Sequence, residues 1–124
     1  MRNSFIFARR RGEMNERLLT SRCAIQGREF VIEILPMVNG CFASVSEDNQ
    51  AHVGAISIAI GTERRSVHSS SLIPDRRGGL FASMLGETLA GKYGGIATVS
   101  LYLREDIDAE TMKTLISEVR KLVQ

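Results

Sequence analysis

Residues 52–61, HVGAISIAIG, and residues 66–93, SVHSSSLIPDRRGGLFASMLGETLAGKY, decide how this chain is read. The first run alternates Val53, Ala55, Ser57 and Ala59 with Gly54, Ile56, Ile58 and Ile60, the period of a strand. Its large aliphatics fall on one side, and that side is expected to meet the core. Ser66 to Ile73 alternates Ser66, His68, Ser70 and Leu72 with Val67, Ser69, Ser71 and Ile73, a second strand with a polar face. After Pro74 the period changes to that of a helix running to about Lys92. Ala82, Gly86 and Ala90 recur every four residues and form a ridge of small side chains, which lets a helix lie close to a sheet or another helix. Leu80 and Met84, and Phe81, Leu85 and Leu89, flank that ridge as apolar rows.

The first turn of this helix is expected to carry Asp75, Arg76, Arg77, Gly78 and Gly79. A helix start presents unpaired N–H groups, and two guanidinium groups beside it suit an anion such as phosphate or carboxylate. The alternative is a solvated turn with Asp75 as N-cap and glycines that ease the bend. The strict phosphate-loop pattern GxxxxGK[ST] is absent. At the start of the preceding strand, His52 could orient a ligand, and Gly54 would admit close approach of a ligand or of another backbone. A half-exposed His satisfied by a neighbouring carbonyl reads equally well.

Working outward, strands are expected over about Arg17 to Ile25 and Glu29 to Leu35, with a turn at Gln26-Gly27. Pro36 is expected to end the second strand and Asn39-Gly40 to form a two-residue hairpin into a third, Cys41 to Ser46. Beyond the long helix, Gly94-Gly95 stops it and Ile96 to Leu103 forms a sixth strand. A last helix begins at about Ala109, with Asp108 as N-cap and Ile107 and Met112 spaced as a hydrophobic staple. Met112, Leu115, Ile116, Val119, Leu122 and Val123 make its apolar stripe. The order β-β-β-β-β-α-β-α predicts an α+β fold: an antiparallel sheet of about six strands packed by two helices.

The 124 residues suit one domain, expected over 16–124, preceded by a basic flexible arm at 1–15. Apolar residues make up 44%, charged residues 24% and aromatics 6%, with no Trp, an ordinary profile poor in rings for stacking single-stranded nucleic acid. Seven of the arginines fall within residues 1–28, so a net charge of +2 leaves the remainder slightly acidic. Nucleic-acid binding does not follow from this. No run is long enough to span a bilayer, and a cytoplasmic location is expected. Cys23 and Cys41 lack CxxC spacing and read as buried reduced thiols. With His52 and His68 they match no familiar zinc pattern, so no metal is expected. His68 and Ser69 to Ser71 lack a nucleophile elbow, and no acid–base pair stands out, so the chain does not read as an enzyme.

The motif His52-Val53-Gly54-Ala55, with the Ser-rich strand, Pro74, the basic Arg76-Arg77 helix start, the Ala-containing helix and the acidic turn from Asp106, resembles a known family. It is that of the small D-type subunits that accompany hydroxyarylic-acid decarboxylases, prenylated-flavin chaperone-like proteins related in fold to proteasome assembly chaperones. The resemblance covers residues 28–124. Where that family carries Gly-His-Lys-Glu at the helix start, this chain has Asp75-Arg76-Arg77-Gly78. The resemblance implies a homodimer and a non-catalytic accessory protein that binds FMN, prenylated FMN or another phosphate-bearing ligand for a decarboxylase-type partner enzyme. In that reading Arg76 and Arg77 neutralise phosphate, the Gly78 and Gly79 amides donate to it, and His52 and Gly54 accommodate the polar part. The alternative is a protein-assembly chaperone with no small ligand. A concave pocket lined by His52 and the Arg pair would favour the first, and a long uncovered apolar patch the second.

Overall fold

The computed structural model describes residues 18–61, 67–71 (backbone only) and 77–124. The N-terminal arm, Pro74, Asp75 and Arg76 lie outside the described residues. The elements are β1 (Leu19–Ile25), β2 (Arg28–Met37), β3 (Gly40–Ser46), β4 (Ala55–Gly61), β5 (Val67–Ser71), α1 (Gly79–Tyr93), β6 (Ile96–Tyr102) and α2 (Ala109–Leu122). The strands form one sheet in the order β1-β2-β3-β6-β4-β5.

That sheet is mixed, which corrects the expectation of an antiparallel one. β6 runs parallel to β3 from Gly40↔Ile96 to Ser46↔Tyr102, and antiparallel to β4. The reason is α1. β4 is antiparallel to both β5 and β6, so β5 and β6 point the same way, and the helix carries the chain back to start β6 from the same end. β6 then fills the slot between β3 and β4.

The second correction concerns β4. Its buried side chains are the small ones, Ala55, Ser57 and Ala59, while Ile56 and Ile58 are half-buried and Ile60 is 49% exposed. Helix α1 explains the inversion. Ala82, Gly86 and Ala90 are all buried against the sheet, and a Cβ on Gly86 would stand 3.3 Å from the Ala59 methyl. A helix this close leaves no volume for isoleucine beneath it.

Three local expectations also shift. Pro36 lies inside β2 opposite Cys41, and Met37↔Gly40 closes the hairpin, so the two turn residues are Val38 and Asn39. β1 pairs with β2 only as far as Ile34, so the missing N–H of Pro36 interrupts no ladder there. Helix α1 starts one turn later than read. Its cap is Gly78, in the left-handed region at φ 86°, with no side-chain cap; Asp75 does not cap it. Asp108 caps α2 as expected, accepting from the Thr111 amide at 2.8 Å.

Both helices cover one face. Under them lie Phe30, Ile32 and Ile34 of β2, Cys41, Ala43 and Val45 of β3, and Ala97, Val99 and Leu101 of β6. Leu85 and Leu89 of α1 and Met112, Leu115 and Val119 of α2 close this core.

Candidate functional site

The Arg–Gly segment and His52 both sit at the end of the sheet where β6 finishes, on opposite sides of it. Gly78 faces the Leu101 and Leu103 side chains, on the helix-covered side. His52 stacks on the ring of Tyr102 with centroids 4.5 Å apart. Tyr102 alternates with the buried Leu101 and so belongs to the other face. Strand β6 therefore stands between His52 and the Arg77–Gly79 segment, and Arg76 lies outside the described residues.

Each described member has structural partners. Arg77 donates to the Arg104 carbonyl at 2.7 Å and to Asp106 Oδ1 at 3.1 Å, bracing the loop between β6 and α2. The His52 amide donates to Ser46 Oγ at 2.8 Å, and its Nδ1 lies 2.9 Å from the Gln50 carbonyl. Gly54 meets another backbone, one of the two options open to it. A Cβ there would fall 2.1 Å from the Leu101 carbonyl oxygen, and its amide donates to Ser100 Oγ at 2.9 Å. Gly79 opens α1 as its first residue.

The same loop is held by a pair that the sequence reading missed. Arg28 donates twice to the carboxylate of Glu47, with Nε at 2.7 Å from Oε2. Its other donors reach the carbonyls of Glu105 and Asp106 at 2.9 and 3.0 Å. Glu47 also accepts from the Arg104 amide at 2.9 Å. The Arg28 hydrogen bonds hold the Glu47 carboxyl below the usual glutamate range, against the opposing effect of its burial. A cleft of about 240 Å³ adjoins this pair, lined by Gly27, Arg28, Glu29, Glu47, Asp48 and Arg104. No local pattern links positions 28 and 47, so the signal is long-range only. The thiols are free, and burial pushes Cys41 up to about 11, which leaves it unreactive. Among the described residues no cluster of His, Cys, Asp or Glu could hold a metal ion, and no helix is long and apolar enough to cross a membrane.

The open face of the sheet is the larger feature. Its rows follow from the register. Met37 and Gly40 pair at one end, followed across the sheet by Ile96 and Ile60. The next row is Leu35, Phe42, Thr98 and Ile58, and the third is Glu33, Ser44, Ser100 and Ile56. Phe42 is 53% exposed, and Leu35, Met37, Ile60 and Ile96 are also exposed. Neither described helix covers these residues. The segment from Glu47 to Gly54 crosses only the far end, where His52 lies on Tyr102 and Arg22 donates to the Asn49 carbonyl. Sequence reasoning placed Ile56, Ile58 and Ile60 in the core and so missed this patch.

No family model and no curated protein matches this chain. Among solved structures, a chain of a novel chaperone complex for yeast 20S proteasome assembly shares its fold, with a TM-score of 0.62 over 87% of this chain and 98% of that one. The two are 10% identical, so the likeness is one of backbone architecture.

Proposed function

We propose that this chain is a non-catalytic assembly or interaction protein that works by binding protein through the open face of its sheet. The observation that carries the proposal is the uncovered apolar surface formed by Leu35, Met37, Phe42, Ile58, Ile60 and Ile96. Large contiguous apolar patches on soluble folds mark interaction surfaces. The shared fold of a chain from a proteasome-assembly chaperone complex supports the same reading, because that protein acts within a complex. The flavin reading requires His52 and the Arg pair to meet one ligand, and β6 separates His52 from Arg77.

The test compares two variants in the chain's own cells, using a tagged copy and native mass spectrometry. Ile58→Glu places a charge in the open face and is expected to remove the co-purifying complexes, while Arg77→Ala leaves them intact. Uptake of FMN or prenylated FMN that disappears in Arg77→Ala, with complexes indifferent to Ile58→Glu, would replace this proposal with the flavin one.

A further inference from the structure

The occupant of the open face can be narrowed from its charge, shape and size; this step rests on reading that face as a protein-binding surface. Across its three inner strands the face carries no charged residue. β3 contributes Phe42, Ser44 and Ser46, β6 contributes Ile96, Thr98, Ser100 and Tyr102, and β4 contributes Ile56, Ile58 and Ile60. Charges appear only toward the β1–β2 rim, and in both signs: Arg22 on β1, with Glu29 and Glu33 on β2. An acidic or basic partner finds nothing to pair with at the centre of such a surface. A matching apolar sheet does, with polar groups of both signs at its margin.

Size points the same way. Six strands about 4.8 Å apart and about 23 Å long give a face on the order of 500 Å² in projection, comparable to the roughly 800 Å² of accessible surface that each partner contributes to a standard interface. Flat sheets pack on flat sheets about 10 Å apart, and a twofold contact needs only one patch that complements itself. The surface that meets these conditions at the chain's own concentration is another copy of it.

We infer that two copies of this chain pack open face to open face. The twofold axis passes near Thr98, which has Phe42 on one side and Ile58 on the other. The segment Glu47–Gly54 fences the His52–Tyr102 end, so the contact is centred on the two rows at the other end, from Met37 to Ile60 and from Leu35 to Ile58.

Sedimentation velocity on the purified full chain, from about 1 to 100 µM, provides the test; twofold dimers are the commonest closed oligomers. The expected result is a dimer that becomes a folded monomer in Ile58→Glu and in Phe42→Glu, with unchanged far-ultraviolet circular dichroism. Ser100→Glu, beside the fence, is expected to weaken the dimer less than either. A wild-type monomer throughout, with cellular complexes still lost in Ile58→Glu, overturns the second copy and leaves the open face as a site for a different protein. A dimer indifferent to both Ile58→Glu and Phe42→Glu overturns the self-association and the reading of the face together.

Discussion

The two sides of β4 form the most instructive comparison in the molecule. One side carries Ala55, Ser57 and Ala59 and is buried; the other carries Ile56, Ile58 and Ile60 and is partly open. Side-chain size alone would assign them the other way round. What decides the matter is the partner element. A helix whose contact ridge is Ala82, Gly86 and Ala90 sits so close to the sheet that only small residues fit beneath it. Large residues on the opposite side, with no element of this chain above them, are what remains for another protein.

The sharpest way to break this comparison is to exchange the sizes. Ala59→Leu places a branched side chain against Gly86 and Val99, where the space holds only a methyl group. Overpacking of this kind is expected to cost about 3 kcal/mol. Urea unfolding of the variant measures it, and a change below about 0.5 kcal/mol, the usual range for surface substitutions, would mean that α1 does not lie on this side of β4.

A second contrast sets the braced end of the sheet against its bare end. Glu47 and Arg28 join β3 and β2 to the β6–α2 loop through hydrogen bonds at one end, whereas Met37, Ile60 and Ile96 share the other with no such tie. Glu47→Ala leaves Arg28 and the Arg104 amide without their acceptor and is expected to cost about 2–3 kcal/mol. Arg28→Ala should cost a similar amount, and the double variant much less than the sum, because the two residues act as one unit. Additive losses in chemical unfolding would show that the pair is not a unit.

Much of this fold was legible because local chemistry announces local structure. Gln26-Gly27 turns with positive φ at both residues, Gly94 ends α1 in the left-handed region, and Asp108 caps α2. The apolar stripe of α2 is buried as its spacing requires. What was not legible depends on pairing across the chain. Nothing between Gly40 and Ser46 announces that its neighbour will be β6, and running parallel. The strand period of β4 showed which residues share a side; which side meets a helix depended on the closeness of α1. The candidate anion site was drawn from adjacency in sequence, and in space His52 and Gly78 flank opposite sides of one strand. The Arg28–Glu47 pair joins residues far apart in sequence, a relation that periodicity does not encode.

Acid sharpens the contrast between the two ends. The Glu47 carboxyl is held below its ordinary value, first by the Arg28 hydrogen bond and then by the Arg104 amide, and Asp108 is lowered by the Thr111 amide. The folded chain therefore binds these protons more weakly than the unfolded chain does. Their stabilising contribution is complete above the ordinary carboxylate range and is lost as pH falls through the depressed folded values. Stability measured from pH 7 downward should fall below about pH 5, where unfolded carboxylates begin to protonate. In Glu47→Gln that slope should be shallower, and an unchanged slope would remove Glu47 from the account.

The smallest expected effect on folding comes from the bare end. Ile60 is about half exposed (49%), pairs with Ile96 across the ladder, and touches no described helix with its outward side. Ile60→Ser removes little buried area from a single chain and is expected to change its unfolding free energy by about 1 kcal/mol or less. If the face is an interface, the same substitution should weaken association more than it weakens folding, because burial of the exposed half occurs only on contact. Unfolding followed at two protein concentrations separates these contributions. The wild type should gain stability at the higher concentration, and Ile60→Ser should gain less. Equal, concentration-independent stability in both would make the open face an ordinary solvent surface and reduce β4 to a strand with misplaced isoleucines. A concentration dependence that shrinks with each polar substitution from Ile60 to Phe42 would trace the edge of the contact.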